Sequence, residues 1–80
     1  MHYVYLLKSI SNPLKTYIGY TTNIENRLHA HNSGNSIHTQ QDKPWKVVTY
    51  VAFDCKQKAL DFEKYLKIGS GKAFASKRFL

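Results

Sequence analysis

Residues Tyr3 to Tyr20 read YVYLLKSISNPLKTYIGY. Aromatic and aliphatic side chains fill Tyr3–Ser9, and β-branched and aromatic ones return over Lys15–Tyr20. Between them lies Ser11-Asn12-Pro13, a cluster of residues that suit turns because they bond locally to the backbone or preset φ. Two strands joined by a short polar turn read as a β-hairpin with its loop around Ser11–Leu14. Side chains alternate along a strand, so Tyr3, Tyr5 and Leu7 share one face, and Tyr17 and Gly19 share one face of the second strand. A loop centred near Ser11 sets Tyr5 opposite Tyr17. Glycine inside a strand marks a bulge or the close approach of another group. Beside an aromatic pair, Gly19 clears space that a core would fill.

Working outward, Thr22-Asn23 offers an N-cap for a helix through Ile24, Leu28 and Ala30, which stops at Ser33-Gly34 with Gly34 as the C′ residue. Asn35–Lys43 is polar and reads as a loop. Pro44 opens a third strand, Trp45–Phe53. Asp54 with Gln57 three residues on has the spacing of a capping box, and it opens a helix over Cys55–Ile68 that places Ala59, Phe62 and Leu66 along one apolar stripe. Gly69-Ser70-Gly71 breaks that helix, and Lys72–Leu80 reads as a short basic helix with Phe74 and Phe79 to bury. The order ββαβαα predicts an α+β domain with a small mixed or antiparallel sheet.

The 80 residues suffice for one domain, 1–80, with no room for a separate recognition domain. The formal charge of +7 is uneven. From Lys56 onward, seven lysine or arginine residues against two acids leave +5. A basic half on a small domain points to a polyanion, and nucleic acid is the leading candidate because neutralising phosphates releases counterions. No apolar run approaches the ~20 residues of a membrane span. One cysteine, Cys55, allows no internal disulfide and no cysteine-based zinc cluster, which fits a reducing cytoplasm.

Few residues are candidates for chemistry. Tyr5 and Tyr17 could present hydroxyls to a phosphate, or form a cross-strand aromatic core pair. Arg27 and His31 stand four apart and share a helix face. Arginine suits bidentate recognition of phosphate, and histidine can take a proton near neutral pH; the plainer alternative is a solvated pair on a helix surface. Glu63 is a single carboxylate that could hold Mg²⁺, an ion that keeps several waters and borrows phosphate oxygens, or it could pair with Lys67 at i,i+4. His2, His29 and His38 lack metal-ligand spacing and read as surface residues. No P-loop, dinucleotide fingerprint or zinc-protease motif occurs.

Tyr3-Val4-Tyr5, then eleven residues, then Tyr17-Ile18-Gly19 resembles the signature of the GIY-YIG nucleases. Arg27 with His31, Thr39 before Pro44-Trp45, Glu63 within Phe62-Glu63-Lys64-Tyr65-Leu66-Lys67, and the closing Gly69-Ser70-Gly71-Lys72 with Lys77-Arg78 are similar to the short bacterial members related to the nuclease domain of the excision-repair endonuclease. Tyr3 stands where the family name has glycine, and no asparagine follows Glu63.

The resemblance implies a three-stranded antiparallel sheet flanked by helices and hydrolysis of a DNA phosphodiester with Mg²⁺ or Mn²⁺, in repair or processing. It places Tyr5 and Tyr17 at the reacting phosphate, Arg27 on its charge and Glu63 on the metal, with His31 assisting a tyrosine as base. Either Tyr5 or Tyr17 could be that base. Lys67, Lys72, Lys77 and Arg78 become candidates for holding the strand. An accessory protein could supply specificity that so small a chain lacks. The alternatives are a non-cleaving nucleic-acid-binding module of the same fold and a protein-interaction domain with an incidental basic face.

Overall fold

The computed structural model describes Met1–Leu80. The elements are β1 (His2–Ser9), β2 (Thr16–Thr21), α1 (Ile24–Asn32), a 3₁₀ turn (Gln40–Asp42), β3 (Trp45–Phe53), α2 (Lys56–Leu66) and α3 (Gly69–Arg78). The strands form one antiparallel sheet in the order β2-β1-β3. This is the expected ββαβαα architecture, an α+β fold with its sheet flanked by helices.

β1 lies in the middle of the sheet, and Val4, Tyr5, Leu6 and Leu7 are all buried. The two faces carry separate cores. Val4 and Leu6 pack with Ala59 and Leu66 of α2, Ala75 of α3, and the partly buried Ile18, Phe53, Phe62 and Phe79. On the other face, Tyr5 and Leu7 pack with Trp45, Tyr17, Leu28 and Val47. α1 covers this second face only in part, and the candidate site forms there.

A bulge in β3 makes the second core possible. Leu6 pairs with Thr49 but Leu7 pairs with Val47, so one extra residue, Val48, stands on the β3 side. The extra residue reverses the alternation. Thr49, Val51 and Phe53 therefore share the face of Val4 and Leu6, while Val47 and Trp45 share the face of Tyr5 and Leu7. Without the bulge, Trp45 would point at α2.

The β1–β2 hairpin departs from the expected register. Tyr5 pairs with Gly19, and Tyr17 pairs with Leu7. The loop is centred at Asn12 because Lys8 pairs with Thr16 and the Lys15 amide donates to the Asn12 carbonyl. The strand has slid by two residues, and since the side-chain period is two, both tyrosines keep the same face. They meet diagonally, with ring centroids 6.3 Å apart.

Asn23 caps α1 as expected, its side chain accepting from the Asn26 amide. Gly34 beyond the other end has φ +82°, a conformation that costs glycine nothing. The capping box at α2 does not form. Cys55 is the N-cap, without a side-chain bond, and Gln57 donates along the helix to Asp61. α2 stops at Leu66 rather than Ile68, and α3 begins at Gly69, so Gly69-Ser70-Gly71 is the first turn of α3 instead of a break before it. Packing decides this. Gly71 is buried, and a Cβ there would run into the backbone carbonyl of Tyr65 on α2. Phe79 joins the core, but Phe74 stays exposed.

Candidate active site

Tyr5, on the central strand, is 2 % exposed, and its hydroxyl meets two α1 side chains. Arg27 Nε donates to the Tyr5 oxygen at 3.2 Å. His31 Nε2 lies 2.9 Å from the same oxygen. The i,i+4 spacing of Arg27 and His31 aims both side chains at one phenol. His31 is fully buried, and its Nδ1 lies 2.7 Å from the Thr39 hydroxyl, which is fully buried too. Tyr17 is half-buried beside them, edge-on to the His31 ring with centroids 4.9 Å apart.

Gly19 opposes Tyr5 directly. A Cβ at Gly19 would sit 2.6 Å from Tyr5 Cζ and 3.0 Å from a ring carbon of Tyr17. The first is closer than carbon atoms tolerate and the second is tight, so the absence of a side chain is what lets the Tyr5 ring come over Gly19. The sequence reading left the space at Gly19 open beside two aromatics; in the fold the buried Tyr5 ring itself takes that space.

The polar loop Asn35–Lys43 positions the far end of this chain of contacts. The 3₁₀ turn Gln40–Asp42 follows Thr39, and Ser36 is buried alongside it. Trp45 Nε1 donates to the Thr39 carbonyl at 2.8 Å. Asn32, the last residue of α1, donates through Nδ2 to the Trp45 carbonyl at 3.0 Å and accepts from the Trp45 amide. α1, the loop and β3 are thereby tied together, and Thr39 is held against His31. Thr39 has a role at the site that spacing alone could not assign. The available signal was its place before Pro44-Trp45.

The environment sets the charge states. Burial pushes the Tyr5 phenol above its ordinary pKa; the hydrogen bond and charge of Arg27 pull the other way, while Tyr17 and Glu63 add to the rise. His31 is held below the ordinary imidazole value, first by burial and then by the Arg27 charge. Arg27 is held more firmly in its charged form, chiefly by its hydrogen bond to Tyr5. Around neutral pH the site therefore contains a neutral phenol, a neutral imidazole and a fixed guanidinium. In the tautomer with hydrogen on Nδ1, Tyr5 donates its proton to His31 Nε2 and His31 donates to Thr39. Arg27 Nε is taken up by Tyr5, and the guanidinium also interacts with the Tyr17 hydroxyl, so its remaining N–H groups are what it can offer an anion at the half-buried rim shared with Tyr17.

Glu63 lies on α2, the helix that packs against the Val4–Leu6 face of the sheet, and its charge is the weakest of the influences on the Tyr5 phenol. Its side chain is 19 % exposed and accepts from Lys67 Nζ through Oε2 at 2.9 Å, the i,i+4 pair that the sequence allowed. Oε1 makes no hydrogen bond within the chain. The protein has no group of three His, Cys, Asp or Glu side chains placed to hold an ion. Any cation here takes one carboxylate from the protein and its other ligands from water and a phosphate. That donor set fits Mg²⁺ or Mn²⁺ and does not fit ions that need imidazole or thiolate.

Lys67 and Lys72 line a groove of about 330 Å³ that begins at Tyr17 and runs between β2 and α3. Lys77 and Arg78 are exposed in the last turn of α3. The structure thus brings Tyr5, Tyr17, Arg27 and His31 together with Thr39, keeps Glu63 on α2 with Lys67 as its partner and no hydrogen bond to that cluster, and leaves Lys77 and Arg78 outside it. Of the other histidines, His29 and His38 are exposed as expected. His2 is half-buried, its Nδ1 2.7 Å from the Tyr20 hydroxyl. No helix is long and apolar enough to cross a membrane.

Comparison with known proteins bears on the family and the fold. A protein of the UPF0213 group from Clostridium perfringens is 40 % identical over 68 residues, covering 84 % of this chain and 71 % of its own. The structure-specific endonuclease subunit SLX1 of Candida dubliniensis is 41 % identical over 71 residues, covering 80 % of this chain but only 25 % of that larger protein. The solution NMR structure of a UPF0213 protein from Bacillus halodurans superposes with a TM-score of 0.56 at 29 % identity, covering 98 % of this chain and 85 % of that one. The GIY-YIG catalytic domain matches residues 1–76. Through that match, and through the tyrosines, arginine and histidine gathered on one face of its sheet, the chain belongs to the GIY-YIG family.

Proposed function

We propose that this protein is a metal-dependent endonuclease that hydrolyses DNA phosphodiester bonds. The observation that carries this reading is the continuous contact chain Arg27–Tyr5–His31–Thr39, which ends at a rim where Arg27 and Tyr17 face solvent. Such a chain can hold an anion at one end and take up a proton at the other. The likeness to a protein named as an endonuclease subunit supports the reaction class.

In the proposed reaction, the N–H groups of Arg27 not taken up by the tyrosines hold the scissile phosphate, and Tyr17 orients a water beside it. The water oxygen attacks phosphorus. Its proton passes to the Tyr5 oxygen while the phenol's own proton passes to His31 Nε2, and Thr39 accepts from Nδ1 of the resulting imidazolium. The bond from phosphorus to the leaving oxygen breaks, and that oxygen takes a proton from solvent. Mg²⁺ or Mn²⁺, held by Glu63, would supply charge stabilisation at the leaving oxygen. The rival assignment trades the two tyrosines: Tyr17 takes the water's proton as its own phenol proton passes to solvent at the rim, and Tyr5 positions the water.

Lys67 and Lys72 along their groove, with Lys77 and Arg78 beyond it, extend the positive surface away from Arg27 and support a track for the DNA backbone. Target choice is then broad or supplied by a partner, and we place the protein in DNA repair or processing in the cytoplasm.

The deciding experiment is nicking of supercoiled and branched DNA with Mg²⁺ or Mn²⁺. Arg27→Ala and His31→Ala should each slow cutting by about a hundredfold or more, the range of transition-state charge stabilisation and general base catalysis. Glu63→Gln should abolish cutting and leave DNA binding in place. If the parent protein binds DNA but does not cut under any of these conditions, the non-cleaving reading replaces this one. Full activity in Glu63→Gln would remove its metal role.

A further inference from the structure

Beside the reaction centre lies a second cavity, of about 450 Å³, lined by Tyr3, Thr22, Asn23, Ile24, Glu25 and Tyr50. Its position follows from register. Tyr50 of β3 pairs directly with Tyr5, and Tyr3 is two residues along β1 from Tyr5 on the same face. Glu25 lies in the first turn of α1, while Arg27, two residues on, leaves the helix on another side and reaches Tyr5, which pairs with Tyr50. Tyr50 is 54 % exposed, and its ring meets that of Tyr3 edge to face, with centroids 5.7 Å apart and planes at 78°. Tyr3 fixes the edge of the Tyr50 ring, and the ring remains open to a ligand.

The lining selects among ligands. It has no lysine or arginine and one carboxylate, so it repels phosphate while Arg27 next to it attracts one. Glu25 makes no hydrogen bond or ion pair within the chain and is exposed, free to accept from ring N–H or exocyclic amine groups. Aromatic walls with hydrogen-bonding groups at their edge suit a nucleobase. A base in a duplex has its pairing edge occupied and its faces stacked, so it offers the cavity nothing.

We propose that this cavity receives one unpaired nucleobase, stacked on Tyr50, from the strand whose phosphate lies at Arg27. The inference rests on the nuclease reading of that site and names its substrate class: DNA with an unpaired nucleotide beside the cleaved bond, as in a flap or overhang. Duplex DNA engages Arg27 and the lysine track alone.

The test is binding, measured by fluorescence anisotropy in EDTA so that cutting does not intervene. The probes are a flap DNA, the same flap with one abasic nucleotide next to the junction, and a blunt duplex. The parent should bind the intact flap about tenfold or more tighter than the abasic one, the range of one base–aromatic stack. Tyr50→Ala should lose that margin, Tyr50→Phe should keep it, and blunt-duplex affinity should not change in either. Removing the base and removing the ring should not add, because each abolishes the same stack. Equal affinity of the parent for intact and abasic flaps overturns the proposal. So does a Tyr50→Ala variant that keeps the margin, or one that loses flap and duplex affinity in equal proportion. Base-dependent binding without any cutting in Mg²⁺ would count against the catalytic reading and leave the base site standing.

Discussion

His31 shows how much a single residue depends on what surrounds it. Its sequence context is a polar helix, yet it is fully buried with both ring nitrogens in contact with hydroxyls. Burial and the Arg27 charge both disfavour the imidazolium, so its folded pKa lies below the ~6.5 of a free imidazole. NMR titration should find His31 protonating below that value, and Arg27→Met should move it back upward. The sign for stability follows by linkage. Between the lowered folded pKa and ~6.5 the unfolded chain binds more protons, so stability falls as pH drops through that window and is fully present above it. Thr39 can be tested against this background. Thr39→Val leaves His31 Nδ1 without a partner in a buried site and should cost about 1–3 kcal/mol. Thr39→Ser should restore both stability and the His31 titration, whereas a purely space-filling role would favour the isosteric valine.

At the scale of elements, the same physics of close approach acts twice. Gly19 lets the Tyr5 ring cross β2, and Gly71 lets α3 pack onto the backbone of α2 at Tyr65. Gly71→Ala therefore sets two effects against each other. Alanine improves helix propensity by up to ~1 kcal/mol, but its methyl group meets a backbone carbonyl that cannot rotate away. Overpacking of this kind costs about 1–3 kcal/mol, so the variant should unfold at lower denaturant, with the α2–α3 packing altered. Gly19→Ala should act differently. The overlap is with the Tyr5 ring, so the first casualty should be the Tyr5–His31 hydrogen bond, seen as a displaced His31 titration alongside any loss of stability. The bulge at Val48 is the third device at this scale, since it alone puts Trp45 on the face where Thr39 and Asn32 can reach it.

For the whole molecule, the charge of +7 has two parts. Arg27 is tied into the cluster, whereas the lysines of α2 and α3 and Arg78 sit on the surface beyond it. If the surface group carries the DNA backbone, Lys72→Gln with Lys77→Gln should lower the slope of log K against log salt by about two, near one for each phosphate no longer neutralised. An unchanged slope would place the strand elsewhere. Arg27 should contribute to turnover far more than to that slope, because one guanidinium among 12 basic residues is a small part of the long-range field.

The reading of Tyr3–Tyr20 as a hairpin, the element order and the helix positions of Arg27, His31 and Glu63 could all be taken from the sequence, because alternation and i,i+4 spacing are local properties of the backbone. So could the caps at Asn23 and Gly34, which depend on a few neighbouring atoms. The register that opposes Tyr5 to Gly19 could not, since a slip of two residues keeps every side chain on its face and leaves the pattern unchanged. Nor could the start of α3 at Gly69, where packing against α2 outweighs the poor helix propensity of glycine. The role of Thr39 and the cavity at Tyr50 were equally hidden. Each is made by residues far apart in the chain and brought together by a bulge, a pinned loop and a strand pairing, and the energy of those interactions exists only after the chain has folded.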